Sequence, residues 1–301
     1  MLRSLLFRFS FAEGDAMRRA RWISACRPLA LSLLLSAAWL APAAAAPNVS
    51  FLAHQAVYDL TLKASRGKAS INSARGRILY NFSGSACEGY STEFRQVSQI
   101  DAGENRTMLS DLRSTSWEDG EGKSYRFKIE TRMNEAEPVF VDGAAERNGK
   151  TITVKLKQPK AKTFTIEDAV FPTEQVKLII EAARAGKSLL ELAVYDGSDG
   201  GEKVYSTLTV IGQPIPGGRE PATPDAASRI ETFKSLTRWP VTVSYYDRAA
   251  RSQSGEQTPV YAMSFELYED GVSRALTLDY NDFVIAGAMD RIDIKDTKPC
   301  K

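Results

Sequence analysis

The chain has 301 residues, 39 Lys and Arg against 37 Asp and Glu, a formal charge of +2, and one histidine. So even a balance offers no electrostatic footprint for nucleic acid. The lone His54 leaves no second candidate for a Ser-His or Cys-His catalytic arrangement.

From Met17 the chain reads as a secretory signal. Arg18, Arg19, Arg21 and Arg27 form a basic start, Leu29 to Leu40 an apolar run, and Ala41 to Ala46 a small-residue cleavage region. The apolar run is too short for a comfortable transmembrane helix. We expect Met17 as the true start, cleavage after Ala45, and export to a bacterial periplasm. Residues 1–45 are thus the signal peptide and 46–301 one β-barrel-like domain. The mature chain keeps 33 basic and 35 acidic residues and no transmembrane segment. Cys26 leaves with the signal, so Cys87 and Cys300 remain as a pair in an oxidising compartment, and a disulfide between them is expected.

Period-two alternation dominates the mature sequence. Tyr58, Leu60 and Leu62 share one face, as do Ile78, Tyr80 and Phe82, then Tyr125, Phe127 and Ile129, then Ile152, Val154 and Leu156. Tyr261, Met263, Phe265 and Leu267 repeat the pattern, followed by Leu276, Leu278 and Tyr280. One buried and one wet face is the signature of antiparallel sheet. Turn dipeptides fall at Asp119-Gly120, Asp142-Gly143, Asn148-Gly149, Asp196-Gly197 and Asp270-Gly271. A helix opens at Pro172-Thr173 with Thr173 as N-cap. Val176, Ile179, Ile180 and Ala183 form its apolar stripe, and Gly186 ends it. A second, shorter helix is read near Asp225 to Leu236, with Ile230, Phe233 and Leu236 inward. It follows QPIPGGREPATP, a four-proline exposed loop.

The fold expected is all-β with minor α: a large antiparallel, incompletely closed barrel of a dozen or more strands with one or two short helices. Closure manages the sheet edges. A barrel this wide is not filled by its own side chains, so the helix becomes its plug or lid. Val176, Ile179, Ile180 and Ala183 are the expected cavity or lid residues. The acidic, glycine-rich runs Asp196–Glu202 and Trp117–Lys123 read as hairpin turns rather than calcium loops. No metal, cofactor or catalytic residue is expected.

Several segments resemble the EipB family of cell envelope integrity proteins. They are His54-Gln55-Ala56-Val57-Tyr58-Asp59-Leu60, Gly84-Ser85-Ala86-Cys87-Glu88-Gly89-Tyr90, Phe265 to Arg274, and Leu278-Asp279-Tyr280-Asn281-Asp282-Phe283, with the late Cys300. The resemblance implies a periplasmic β-spiral, paired cysteines at Cys87 and Cys300, a central cavity with a lipid-like ligand, and no assigned catalytic residue. The function expected is a non-enzymatic envelope protein that binds a hydrophobic or peptide ligand, or a periplasmic partner protein. A surface-acting scaffold and a carboxylate-dependent hydrolase using Asp279 and Asp282 are the alternatives.

Overall fold

The computed structural model describes residues 48–66, 71–103, 106–249 and 257–296. The first strands are β1 (His54–Ser65), β2 (Ser73–Ser85), β3 (Gly89–Asp101), β4 (Thr107–Glu118) and β5 (Ser124–Met133). Next come β6 (Val139–Asn148), β7 (Thr151–Gln158), β8 (Lys162–Glu167), β9 (Ala169–Val170) and helix α1 (Pro172–Arg184). Then follow β10 (Leu189–Val194), β11 (Tyr205–Ile211), the single turn α2 (Glu231–Lys234), β12 (Arg238–Asp247), β13 (Tyr261–Tyr268), β14 (Ser273–Asp279) and β15 (Phe283–Ile294).

All fifteen strands join one sheet, in the order β8-β7-β6-β5-β4-β3-β2-β1-β15-β14-β13-β12-β11-β10-β9. The last strand pairs with the first, Ile294 facing His54. The sheet curls until its two edges, β8 and β9, are consecutive in the chain with Asp168 between them. The result is a barrel with one unsealed seam. Both edges are short, six and two residues, which limits edge-to-edge pairing with other chains.

The sheet is not wholly antiparallel, as the sequence had suggested. β9 and β10 run parallel. A parallel pair needs a crossover, and α1 supplies it. Asp142-Gly143 is not a turn either. It lies inside β6 at a register shift against β7, where a Cβ on Gly143 would meet Phe127 at 2.7 Å and Leu156 at 2.8 Å. The glycine serves packing. The second helix shrinks to a 3-10 turn at Ala227–Arg229 and the four residues of α2, because Ile230 between them is extended.

Two apolar clusters fill most of the interior. One gathers α1, α2 and strands β11 to β15 with β1 and β2, around Ile179, Ile180, Phe233 and Leu267. The other packs Tyr125, Phe127, Phe171 and Tyr195 under β5 to β7, with Tyr125 stacked on Phe127 and Phe171 and Tyr195 edge-on to Phe127. Arg147 of β6 ties the seam to the helix. Its guanidinium donates to the carbonyls of Gly122 (2.8 Å) and Ala169 (2.9 Å) and to Glu174 (2.6 Å), while lying over Phe171. Three charge-assisted bonds at a largely buried site are strong. Arg147→Ala should lower unfolding free energy by about 2–3 kcal/mol in urea titrations, and Arg147→Lys should recover only part of that loss, because an ammonium cannot reproduce the fork.

Candidate functional site

Alternation along β2 to β5 aims one set of side chains into the barrel. Tyr80 and Phe82, Thr92 and Phe94, Leu112, Ser114 and Ser116, and Tyr125 and Ile129 line a cavity of about 410 Å³. Phe51, Leu52 and His54 close it from the N-terminal side, Met263, Asp270 and Gly271 from β13 and its turn, and Asp196 and Ser198 from the turn after β10. Helix α1 contributes Pro172, Thr173 and Val176. The volume falls in the range of about 300–1,000 Å³ usual for ligand sites. One part of the wall is aromatic and aliphatic; the rest carries hydroxyls and two carboxylates. Beyond the cavity the inward positions run on to Met108, Met133 and Val139, which are exposed. The inner face therefore stays partly apolar out to the end of these strands.

The helix that bounds the cavity begins in an unusual way. Its N-cap is Phe171, not Thr173. Phe171 is fully buried and stacks on Tyr125 with ring centroids 5.1 Å apart. The position that commonly holds a capping Ser, Thr, Asp or Asn is thus committed to core packing. The missing acceptor comes from a distant strand. Glu118, at the end of β4, accepts from the backbone N–H of Thr173 (2.7 Å) and of Glu174 (2.8 Å). Glu174 reaches back to the N–H of Phe171 (3.4 Å). The C-terminus follows expectation: Gly186 has φ of 70°, and Lys187 and Gly186 donate to Ala182 and Ala183 in a Schellman arrangement.

Of the expected lid residues, only Val176 reaches the cavity. Ile179, Ile180 and Ala183 are buried in the main core instead. The amphipathic stripe spans both surfaces, and its C-terminal part packs on the sheet. Cys87 is exposed in the turn between β2 and β3; Cys300 and the signal region lie outside the described residues. Asp279 is paired with Arg66 at 2.8 Å. Neither it nor Asp282 lines the cavity, so the two acids of the hydrolase alternative do not meet there.

The electrostatics of the cavity are one-sided. Among the described residues no Lys or Arg lines it. Burial lowers the pKa of His54, and its Nδ1–H donates to the Leu52 carbonyl at 2.7 Å, leaving a neutral imidazole. Burial raises Asp270 to about 6 and pushes Asp196 upward. Each is held in a local turn, Asp196 by the Ser198 N–H (2.9 Å) and Asp270 by the Val272 N–H (3.1 Å). Glu118 is 3% exposed, and burial raises it to about 7 despite its two helix N–H donors.

The chain belongs to the EipB-like family, whose sequence profile matches residues 45–296. It is 35% identical over 268 residues to the "Cell envelope integrity protein EipB" of Brucella abortus (strain 2308), an alignment that covers 88% of this chain and 92% of that protein. It is also similar to the crystal structure of a beta-barrel-like protein of a domain of unknown function, DUF1849, from Brucella abortus. That match has a TM-score of 0.74 at 33% identity and covers 82% of this chain and all of the other.

Sequence reasoning missed Glu118. Its contacts lie 55 and 56 residues away, and no local pattern marks it. A carboxyl whose folded pKa is raised binds protons that the unfolded chain does not bind. Its contribution to stability is therefore best below the unfolded value and is lost as pH rises toward the folded value of about 7. Between pH 6 and pH 8 the wild type should lose about 1 kcal/mol more than Glu118→Gln. Parallel urea titrations at the two pH values measure this, and Asp270, with a folded value of about 6, titrates alike in both proteins and cancels in the comparison.

Proposed function

We propose that this protein is a non-enzymatic, periplasmic member of its family that supports cell envelope integrity by holding a lipid-like or extended apolar ligand in the barrel cavity. The single observation that carries this reading is the cavity itself, apolar along Phe82, Phe94, Leu112, Ile129, Val176 and Met263, and bounded by a helix end. The envelope role is taken from the related Brucella protein. The non-enzymatic reading rests on the cavity acids, each spent on a local turn, and on a neutral His54. Export rests on the tripartite start of the sequence.

The test uses N-phenyl-1-naphthylamine as a neutral apolar probe. Fluorescence titration should give saturable binding. Val176→Glu should weaken it by roughly tenfold or more, since a carboxylate would be placed in an apolar wall. Ile180→Glu would be uninformative, because Ile180 is fully buried in the core. An absence of saturable binding by the wild type contradicts the ligand reading.

The disulfide belongs to the same proposal. β15 and β2 flank β1, with Ile294 and Phe82 both opposite His54. Lys295 donates to Asn81 at 2.6 Å. From these aligned points, Cys87 lies five residues past Phe82 and Cys300 six past Ile294. At His54, β2 and β15 run toward the same end of the sheet, two strand spacings or about 10 Å apart. Non-reducing peptide mapping of the exported protein should recover Cys87 joined to Cys300. Cys87→Ser should cost up to about 5 kcal/mol by the loop-closure relation. Alkylation of both thiols in unreduced protein would contradict the link.

A further inference from the structure

The proline-rich segment before β12 is fastened to the sheet by two buried arginines. Arg274 donates to Asp225 (2.9 Å), to the Thr223 carbonyl (2.6 Å) and to Glu266. Arg238 donates through Nε to Glu266 (2.7 Å) and through Nη1 to the Arg219 carbonyl (3.0 Å). Glu266 thus bridges two guanidinium groups, and every nitrogen of Arg274 is engaged. Arg238 differs. It is 4% exposed, yet its Nη2 has no hydrogen-bond acceptor among the described residues.

Arg238 lines a second pocket, of about 250 Å³, remote in its lining from the barrel cavity, and its guanidinium lies over the ring of Tyr268, 6.0 Å from the centroid. Tyr268 shares the wall, is 2% exposed, and its hydroxyl likewise has no partner among the described residues. Neither atom is sealed from solvent. Both residues are nearly buried, yet each keeps a donor that solvent can reach. Two in one pocket mark a place prepared for an acceptor.

The rim adds charge. Arg219 and Arg229 line the same pocket and are exposed, and neither has an ion pair among the described residues. Lys234 also lines it but is taken up by Glu231 at 2.8 Å. Glu220 is the one acidic lining residue. A solvated cationic loop would explain Arg219 and Arg229 alone. It would not explain a guanidinium nitrogen and a phenol left unpartnered beneath them.

We propose that this pocket binds the phosphate group of an organic phosphate, with Arg238 Nη2 and the Tyr268 hydroxyl as floor donors and Arg219 and Arg229 supplying charge at the rim. A phosphate suits it better than a carboxylate. Donors come from both the sheet and the loop, and a tetrahedral oxyanion offers acceptor oxygens in several directions where a carboxylate offers two in one plane. Phe233 gives the pocket an apolar side, which fits an ester group rather than a bare ion.

Two arms distinguish the source of the phosphate. Calorimetry with glycerol 3-phosphate tests a soluble ester; flotation with phosphatidylcholine vesicles, with and without phosphatidylglycerol, tests a lipid headgroup. We expect saturable binding in at least one arm, weakened roughly tenfold or more in the double variant Arg219→Glu/Arg229→Glu. Both residues are exposed, so the melting temperature should hold. Tyr268→Phe should weaken the same binding several-fold while leaving N-phenyl-1-naphthylamine binding in the barrel unchanged, and it keeps the test alive if the charge-reversal variant misfolds. Absence of binding in both arms, or binding that neither variant weakens, overturns the proposal.

Discussion

The Glu118 carboxylate at the N-terminus of α1 is the contact on which the interior depends. A sheet of fifteen strands curls into a tube too wide to be filled by its own side chains. One helix must occupy much of that space, and a helix end inside a barrel needs acceptors for its first N–H groups. Phe171 cannot supply one, because it is stacked in the aromatic cluster. Glu118 does, from the end of β4, and Arg147 balances the neighbouring Glu174 while holding the seam strand β9. The buried carboxylate also interacts favourably with the positive end of the helix dipole. Where α1 stops filling the barrel, the cavity begins.

The same arrangement explains why α1 divides its labour. Its C-terminal part, with Ile179, Ile180 and Ala183, is core. Its first turn, with Pro172, Thr173 and Val176, is cavity wall. The cavity therefore borders the end of the helix held by an ionisable group. The signature segment from Phe265 to Arg274 plays a separate, structural part. Glu266 and Arg274 organise the loop before β12, and Asp270 turns the chain beside the cavity.

The barrel was legible wherever inward positions are apolar. β1, β2, β5, β7, β13 and β14 announce themselves by alternation, and the turns β4–β5, β6–β7 and β13–β14 by Asp-Gly or Asn-Gly. β3 and β4 were silent for a physical reason. Their inward residues include Thr92, Ser114, Ser116 and Glu118, because they face a cavity and a helix end instead of a packed core. The residues that make the site interesting are the ones that erase its strand pattern. The helix was placed within two residues at its start, but its cap was misassigned, since a side chain from another strand leaves no trace in local sequence. The parallel β9–β10 pair was hidden by the brevity of β9, two residues long. The short α2 region read as one helix because Ile230, Phe233 and Leu236 have helical spacing, although the extended Ile230 divides it.

Amide hydrogen exchange resolved to single residues tests the central claim most directly. Wild type and Glu118→Ala are compared at pH 7. If Glu118 secures the helix that shapes the cavity, Thr173 and Glu174 lose most of their protection in the variant, and the loss extends into the first turn of α1, while β1 and β15 exchange as before. Unchanged protection at Thr173 and Glu174 would contradict the account.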